Sequence, residues 1–521
     1  MGENPLSGNI PSQMAYGRDT YPGLKSHKVL TNFAAENNGT YSPTGLNLVR
    51  IPVRSVGSFL DLKEAQLSFQ LSLSGTSTMT FLDGGAQCII DRLRVLTLSG
   101  QQLECIESYN LIACIVDQYT EDLPRSYDLA IRSGCAGSPF VWPANAPYLA
   151  HTMGYNQNTG EHFDTSAPAT LTQHWEIRLR AGWFNPDLGK YLPPDTPFVL
   201  ELTLAQAADC LVASTTSVVT TGSCTTTAQT ANYTATQFFL KIPTITVDDG
   251  NFMERVRMLK SMGTEWSATT YKHYITSLPT ASAQNVMLDL AIRCKSLTGL
   301  IGVLRSQTTQ SLLVGDNGTG KSVQLGVHNP NGWKLSKRTI QYLSSYYATI
   351  GNDNYPPTQI NVVTDGTAGG GSSGVAINET DANANYVLAD LHPDPWRIDT
   401  STGMNISEAW CQAKAVFGKS GMIDLVSFGN SEHISQNGAG VFCIDLESFH
   451  GDKRTTSGIN TYDMVVPVKL VVSLAPATVT GTTNLTGADV DVVIVPIQVD
   501  VFAQCDIKFA LTSDGNIVSL A

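Results

Sequence analysis

Four things are scarce or missing in this 521-residue chain, and the first three each remove a class of function. Excess positive charge is the first: 32 Lys and Arg stand against 45 Asp and Glu, a net charge of −13. Nonspecific nucleic-acid binding depends on cations that displace counterions from phosphates, and no Lys/Arg cluster or basic arm is present, so this chain is not read as packaging nucleic acid directly. The second is metal-ligand spacing. The ten cysteines include no CxxC pair, and the nine histidines form neither H-x-H nor H-E-x-x-H, so neither a zinc site nor a zincin is indicated and no metal is expected. With mostly apolar neighbours, the cysteines read as reduced core residues. The third is a long apolar run. Nothing approaches 18 uncharged apolar residues, and the opening Met1-Gly-Glu-Asn-Pro-Leu6 has no apolar signal core, so the expectation is a protein made and assembled inside a cell rather than secreted through a signal peptide or threaded through a membrane. Charge of either sign is the fourth, at 15% of residues.

Glycine, proline, threonine and serine are plentiful instead, which favours short strands and many turns and predicts an all-β fold. The organising feature is a stretch that occurs twice. Pro197-Phe-Val-Leu-Glu-Leu-Thr-Leu-Ala-Gln-Ala207 has a second copy in Pro467-Val-Lys-Leu-Val-Val-Ser-Leu-Ala-Pro-Ala477, an offset of 270 (467 less 197). Each opens with a proline where a strand needs no ladder donor and continues in β-branched or leucine residues. The offset is far too long for a solenoid, so it predicts two similar β domains, with Leu200/Leu470 and Leu204/Leu474 in matching buried positions. A weaker echo links Ile242-Pro-Thr-Ile-Thr-Val-Asp248 with Val495-Pro-Ile-Gln-Val-Asp500.

Along the chain, residues 1–45 are polar with little periodicity and read as an arm ordered only by a partner. Strands are predicted from Leu46 onward, with strict alternation in Ala65 to Leu73, a Ser99-Gly100 turn and further alternation in His174 to Arg180. Glu104 to Tyr119 reads as a helix. Asp248 and Asp249 can cap a short helix carrying Phe252, Val256 and Leu259, with Gly263 to end it, and this is the natural junction. Ser407 to Phe417 reads as another helix, and the Gly/Ser/Thr/Asn-rich stretch 366–385 as a loop. The domain reading is an arm over 1–45, a first domain over 46–247, a linker helix over 248–263 and a second domain over 264–521.

Several segments now resemble a known family. Lys295-Ser-Leu-Thr-Gly-Leu300, Ile350-Gly with Tyr355-Pro-Pro-Thr-Gln-Ile360, Val441 to Phe449 followed by Ser457-Gly-Ile-Asn-Thr461, and Ser513-Asp-Gly-Asn-Ile517 look like the double jelly-roll major capsid proteins, the hexon-like shell proteins of the adenovirus, virophage, polinton-like and giant-virus lineage. The resemblance spans roughly residues 45–521 and lies in the order of short motifs and in the duplication. It implies two consecutive eight-stranded jelly-roll sandwiches with a few short helices between strands. It also implies a homotrimer of pseudo-hexagonal outline that tiles an icosahedral shell in the virion, without catalysis or cofactor. Neighbouring capsomers, penton and minor capsid proteins, and an internal membrane beneath the shell are the partners it suggests.

Two motifs argue for other classes. Gly315-Asp-Asn-Gly-Thr-Gly320-Lys321-Ser322 fits the phosphate-cradling P-loop, which would make the chain a nucleotidase or packaging motor. A P-loop needs a helix immediately after it to aim amides at the phosphates. Gly326, Pro330 and Asn331-Gly332 leave no room for one, so Gly315, Gly320, Lys321 and Ser322 are read as a surface loop. Gly370-Gly-Ser-Ser-Gly374 fits a nucleophile elbow but sits in low-complexity sequence with neither the strand nor the helix the elbow requires. His392-Pro-Asp-Pro-Trp396 reads as a rigid loop, and His174 and His273 as satisfied structural histidines. A carbohydrate-binding sandwich is the third class, and it would need Trp183, Tyr191 and Trp333 to line a groove.

Overall fold

The computed structural model describes residues 25–37, 39–74, 79–120, 132, 152–153, 172–186, 189–214, 232–278, 284–306, 335, 343–361, 407–418, 441–448, 457–464, 467–474, 497–512 and 516–520. Among the described residues sixteen strands, eight in each half of the chain, build the four main sheets, beside the shorter strands Phe59–Leu60, Met79–Asp83, Thr152–Met153, Leu211–Ser214 and Ile517–Leu520. The first half holds β1 (Ser26–Ala34), β2 (Leu48–Val53), β3 (Gln66–Ser74), β4 (Ile90–Leu96), β5 (Gln102–Ile106), β6 (Thr172–Arg178), β7 (Phe198–Leu204) and β8 (Asn232–Val247). The second holds β9 (Thr264–Leu278), β10 (Gln284–Leu290), β11 (Leu297–Ser306), β12 (Leu343–Ile350), β13 (Asp353–Asn361), β14 (Phe442–Asp445), β15 (Val468–Leu474) and β16 (Ile497–Leu511).

Their sheet orders are the same twice over. In the first half the sheets run β1-β8-β3-β6 and β2-β7-β4-β5; in the second, β9-β16-β11-β14 and β10-β15-β12-β13. Each of these eight first-half strands has its counterpart eight strands later, all pairings are antiparallel, and every described pairing stays within its own half. Two four-stranded sheets between which the chain alternates, except at the hairpins β4-β5 and β12-β13 that stay within one sheet, make a jelly roll. The chain therefore folds as two of them.

The repeated sequence stretch forms β7 and β15, each the second strand of its sheet. Leu200 lies between Ile51 and Val95, Leu470 between Leu288 and Ala348, and all six are buried. Burying a leucine stabilises by about 1.5–3 kcal/mol, so the inward positions had to stay apolar while the rest of the strand changed. The weaker echo has a different fate. Both of its copies touch the same strand of their sandwich, but Ile242 to Val247 closes β8 whereas Ile497 to Asp500 opens β16. The matching positions are Lys241, opposite Gln66 at the start of β3, and Cys505, opposite Leu297 at the start of β11. The echo is a likeness of strand composition, not of position.

Two further expectations are corrected. Within the arm read over 1–45, Ser26 to Ala34 is a full strand, paired residue for residue with Ala34 opposite Phe239 and Ser26 opposite Val247. Its two faces are mostly exposed, so it carries no alternating core pattern to read, and it holds through its ladder to β8. The helix read from Glu104 starts later, as α1 (Tyr109–Thr120), because Gln102–Ile106 is strand β5 and Ser108, at φ 48°, turns the chain between them. The Ser99-Gly100 turn is as read: Gly100 has φ 90° and its amide donates to the Thr97 carbonyl at 3.0 Å.

The linking helix is α2 (Gly250–Ser261). Asp249 caps it, its Oδ1 accepting from the amides of Asn251 (2.9 Å) and Phe252 (3.2 Å), and Gly263 leaves it at φ 86°, a conformation that suits glycine. Phe252 and Val256 are half-buried, but Leu259 is exposed, since the face toward the first sandwich continues through Met253 and Lys260 instead. The third helix, α3 (Ser407–Phe417), matches its sequence reading in extent.

Candidate functional site: the joint between the two sandwiches

Where the halves meet, β5 packs against β9 and against the terminal strand Ile517–Leu520. Glu104 stands in the middle of β5 and is buried. A carboxylate in such a place must be hydrogen-bonded, because its desolvation otherwise costs several kcal/mol. It accepts from the amides of Gly182 (2.9 Å) and Trp183 (2.8 Å) in the 3-10 turn Gly182–Phe184, and from the hydroxyl of Thr270 in β9 (2.6 Å). One side chain thus ties a strand and a turn of the first sandwich to a strand of the second. Burial pushes the Glu104 carboxyl above its ordinary value, and the Thr270, Trp183 and Gly182 donors pull it partly back.

The turn fits because residue 182 is glycine. A Cβ there would lie 2.7 Å from the Thr269 carbonyl oxygen and 3.1 Å from Glu104 Oε1. Next to it Trp183 is fully buried and bridges the halves: its ring lies 5.3 Å from Phe198 on one side, and 5.8 Å from Trp266 and 5.0 Å from Phe509 on the other, the last edge to face. Such aromatic pairs are worth about 0.5–1.5 kcal/mol each beyond their burial.

A second tie is made by helices. α1 leaves β5 in the first half, and α3 lies between β13 and β14, the equivalent connection in the second. Tyr119 of α1 stacks on Phe417 of α3 with centroids 4.8 Å apart. α1 is buried from Tyr109 to Tyr119, and its one charge, Asp117, accepts from Arg180 Nε (2.6 Å) and Gln87 Nε2 (2.9 Å). The Arg180 amide donates to the Tyr109 hydroxyl (2.7 Å), and burial raises that phenol well above its ordinary range.

This arrangement fixes the halves against each other. Among the described residues no group of three or more His, Cys, Asp and Glu side chains could hold a metal. The histidines behave as read: His174 Nε2 is 2.8 Å from Ser68 Oγ, and His273 Nε2 is 2.8 Å from Asp500 Oδ1 with its ring on Phe502. Of the described cysteines, Cys88, Cys114, Cys210, Cys294, Cys443 and Cys505 are buried, Cys105 is half-buried and Cys411 is exposed. Gly315, Gly320, Lys321 and Ser322 of the P-loop pattern, Gly370 to Gly374, and His392 to Trp396 lie outside the described residues. Of the aromatic residues a carbohydrate groove would need, Trp183 is corrected to core, Trp333 lies outside the described residues, and Tyr191 lines a cavity of about 310 Å³ with Phe59, Leu192, Pro193 and Trp266.

Glu104 was missed in the sequence because a glutamate between Leu103 and Cys105 reads as a solvated helix position. The usable signal was the Ser99-Gly100 turn after β4, which makes the next residues a returning strand.

No family model matches the chain, and no curated protein matches it in sequence. Solved structures do. The crystal structure of PBCV-1 VP54 fitted into a cryo-EM reconstruction of the virophage Sputnik superposes with a TM-score of 0.55 at 11% identity, over 97% of this chain and 99% of that one. The quasi-atomic model of the PBCV-1 virus capsid gives 0.54 at 12% over 97% and 99%, and the cryo-EM structure of the Sputnik virophage gives 0.52 at 11% over 98% and 92%. At these identities the likeness is one of architecture, and it covers both sandwiches in order: the chain has the fold of the double jelly-roll major capsid proteins.

Proposed function

We propose that this chain is a viral major capsid protein that trimerises into pseudo-hexameric capsomers and tiles an icosahedral shell around the genome, without catalysis. The supporting observation is the doubled strand order, β1-β8-β3-β6 with β2-β7-β4-β5 and then the same again, locked into one unit by Glu104, Trp183 and the α1 and α3 pair. Two similar sandwiches side by side give each subunit two of six similar sectors, so three copies make a near-hexagonal tile by closed symmetry. The structures of like fold come from the capsid of PBCV-1 and from the virophage Sputnik.

The proposed division keeps a first jelly roll over 46–247, to which β1 adds a strand, a linker over 248–263 and a second jelly roll over 264–521, and it is supported by pairings that stay within each half. With a net charge of −13 the shell would not condense nucleic acid itself, leaving contact with the genome to other components. In this reading neighbouring capsomers, penton and minor capsid proteins are the partners, and assembly takes place inside the host cell. Sedimentation equilibrium of the purified protein tests the reading. A stable species at three times 56.0 kDa is expected. A monomer at all concentrations, or Mg·ATP-dependent changes of assembly state, would refute it.

A further inference from the structure

α2 exposes the residues a helix ordinarily hides. Phe252, Met253, Val256 and Lys260 turn toward the first sandwich and are half-buried, with Phe252 6.2 Å from the ring of Phe59. On the outward arc Met258 is 61% exposed, Leu259 58% and Met262 81%. The corner is well anchored despite this: Lys260 Nζ donates to the carbonyls of Pro194 (2.9 Å) and Asp195 (2.8 Å), and Asp195 in turn accepts from the Gly57 amide beside Val56, itself 88% exposed. Large exposed apolar groups gathered on a fixed element mark a surface that something covers.

The chain itself enters at this corner. The amide of Asp248 donates to the carbonyl of Lys25 at 2.7 Å, one residue before the Asp249 cap that starts α2. Residues 1–24 precede Lys25. A 12-residue helix is about 18 Å long, and extended chain advances about 3.3 Å per residue, so six or seven residues suffice to run its length. The stretch nearest the entry, 14–24, holds Met14, Tyr16, Tyr21, Pro22 and Leu24. Tethered this close, it competes with any free partner at an effective concentration of about millimolar.

We propose that residues 14–24 of the same chain lie along the outer face of α2 and cover Met258, Leu259 and Met262. This does not depend on the capsid reading. The full-length protein, with Met258 or Met262 replaced by photoreactive p-benzoylphenylalanine, is irradiated and mapped by mass spectrometry as a mixture of ¹⁴N and ¹⁵N chains. The expected result is cross-linking to residues 14–24 of the same isotopic chain, with the yield falling at least fivefold in the Tyr21→Ser/Leu24→Ser variant. Cross-links between isotopes would assign the face to a second copy. Cross-links elsewhere in the chain, or none to residues 14–24 together with co-flotation on phosphatidylserine vesicles, would also overturn the proposal. Hydrogen exchange provides the independent readout. In Leu259→Ser/Met262→Ser, amides of residues 14–24 should exchange at least tenfold faster at unchanged Tm, and unchanged rates would count against the contact.

Discussion

The two sandwiches share their strand order but not their outward faces. On β7 the residue after Leu200 is Glu201, flanked by Arg50 of β2 and Arg94 of β4, and it pairs with both. On β15 the residue after Leu470 is Val471, flanked by Met287 of β10 and Tyr347 of β12, with Met287 57% exposed. The same place in the same sheet is thus a charge cluster in one half and an apolar strip in the other. Inward neighbours stay alike, since Leu202 and Val472 are both buried. The difference teaches that core packing holds the two topologies equal, while the outer rows are free to become different surfaces with different neighbours. Under the proposed capsid function such a difference would be useful, because the two halves of each subunit would meet unlike surroundings.

The largest expected effect breaks the joint that lets the halves be compared at all. Glu104→Ala leaves the Gly182 and Trp183 amides and the Thr270 hydroxyl without their acceptor in a buried place, a loss of about 3–5 kcal/mol. Denaturant unfolding should show the lower midpoint, and two separated transitions in place of one would show that the sandwiches had uncoupled. The same carboxyl gives a pH signature. Its folded value is raised above the ordinary 4.5, so the unfolded chain releases the proton first and wild-type stability falls as pH climbs from about 4.5 through the raised folded value. Thermal unfolding across that window should show the decline, and Glu104→Gln should flatten it.

Next come the paired leucines. Leu200→Ala and Leu470→Ala each remove a buried side chain from the second strand of a sheet and should cost about 2–5 kcal/mol, similar to one another. A cost near zero at one and several kcal/mol at the other, measured by the same urea titration, would break the equivalence.

Much of this pairing was legible in the chain. The repeated stretch named the equivalent strands because burial fixes Leu200 and Leu470 whatever else changes, and Asp249 with Gly263 marked α2 by capping chemistry that acts locally. What was illegible depends on distant partners. Ser26 to Ala34 is a strand because β8 offers it a ladder, not because of its own pattern. Glu104 is buried because Thr270, 166 residues away, and two turn amides meet it. Similarity of composition also misled once, where the Ile242 and Val495 stretches matched in letters but sit at opposite ends of their strands.

A smaller effect sharpens the contrast of faces. Val471→Glu puts a carboxylate between Met287 and Tyr347 with no arginine at either side, and should cost about 1–3 kcal/mol, whereas the native Glu201 is held by Arg50 and Arg94. Adding Met287→Arg should recover part of that loss in a double-mutant cycle, and no recovery would show that the rows are not equivalent. The smallest effect is expected at Lys321. On the surface-loop reading of the sequence, its change to Ala should alter stability by less than about 0.5 kcal/mol, and calorimetry should find no saturable Mg·ATP binding in the wild type. Micromolar binding lost in Lys321→Ala would restore the nucleotide reading of residues 315–322.

The central claim is that two equivalent sandwiches in one chain make one third of a six-sectored tile. Electron microscopy of the purified, unfixed protein tests it most directly. The account predicts particles of three-fold symmetry with a near-hexagonal outline, each subunit contributing two adjacent sectors of similar density. Class averages showing single subunits, two-fold dimers or rings of another order would contradict it.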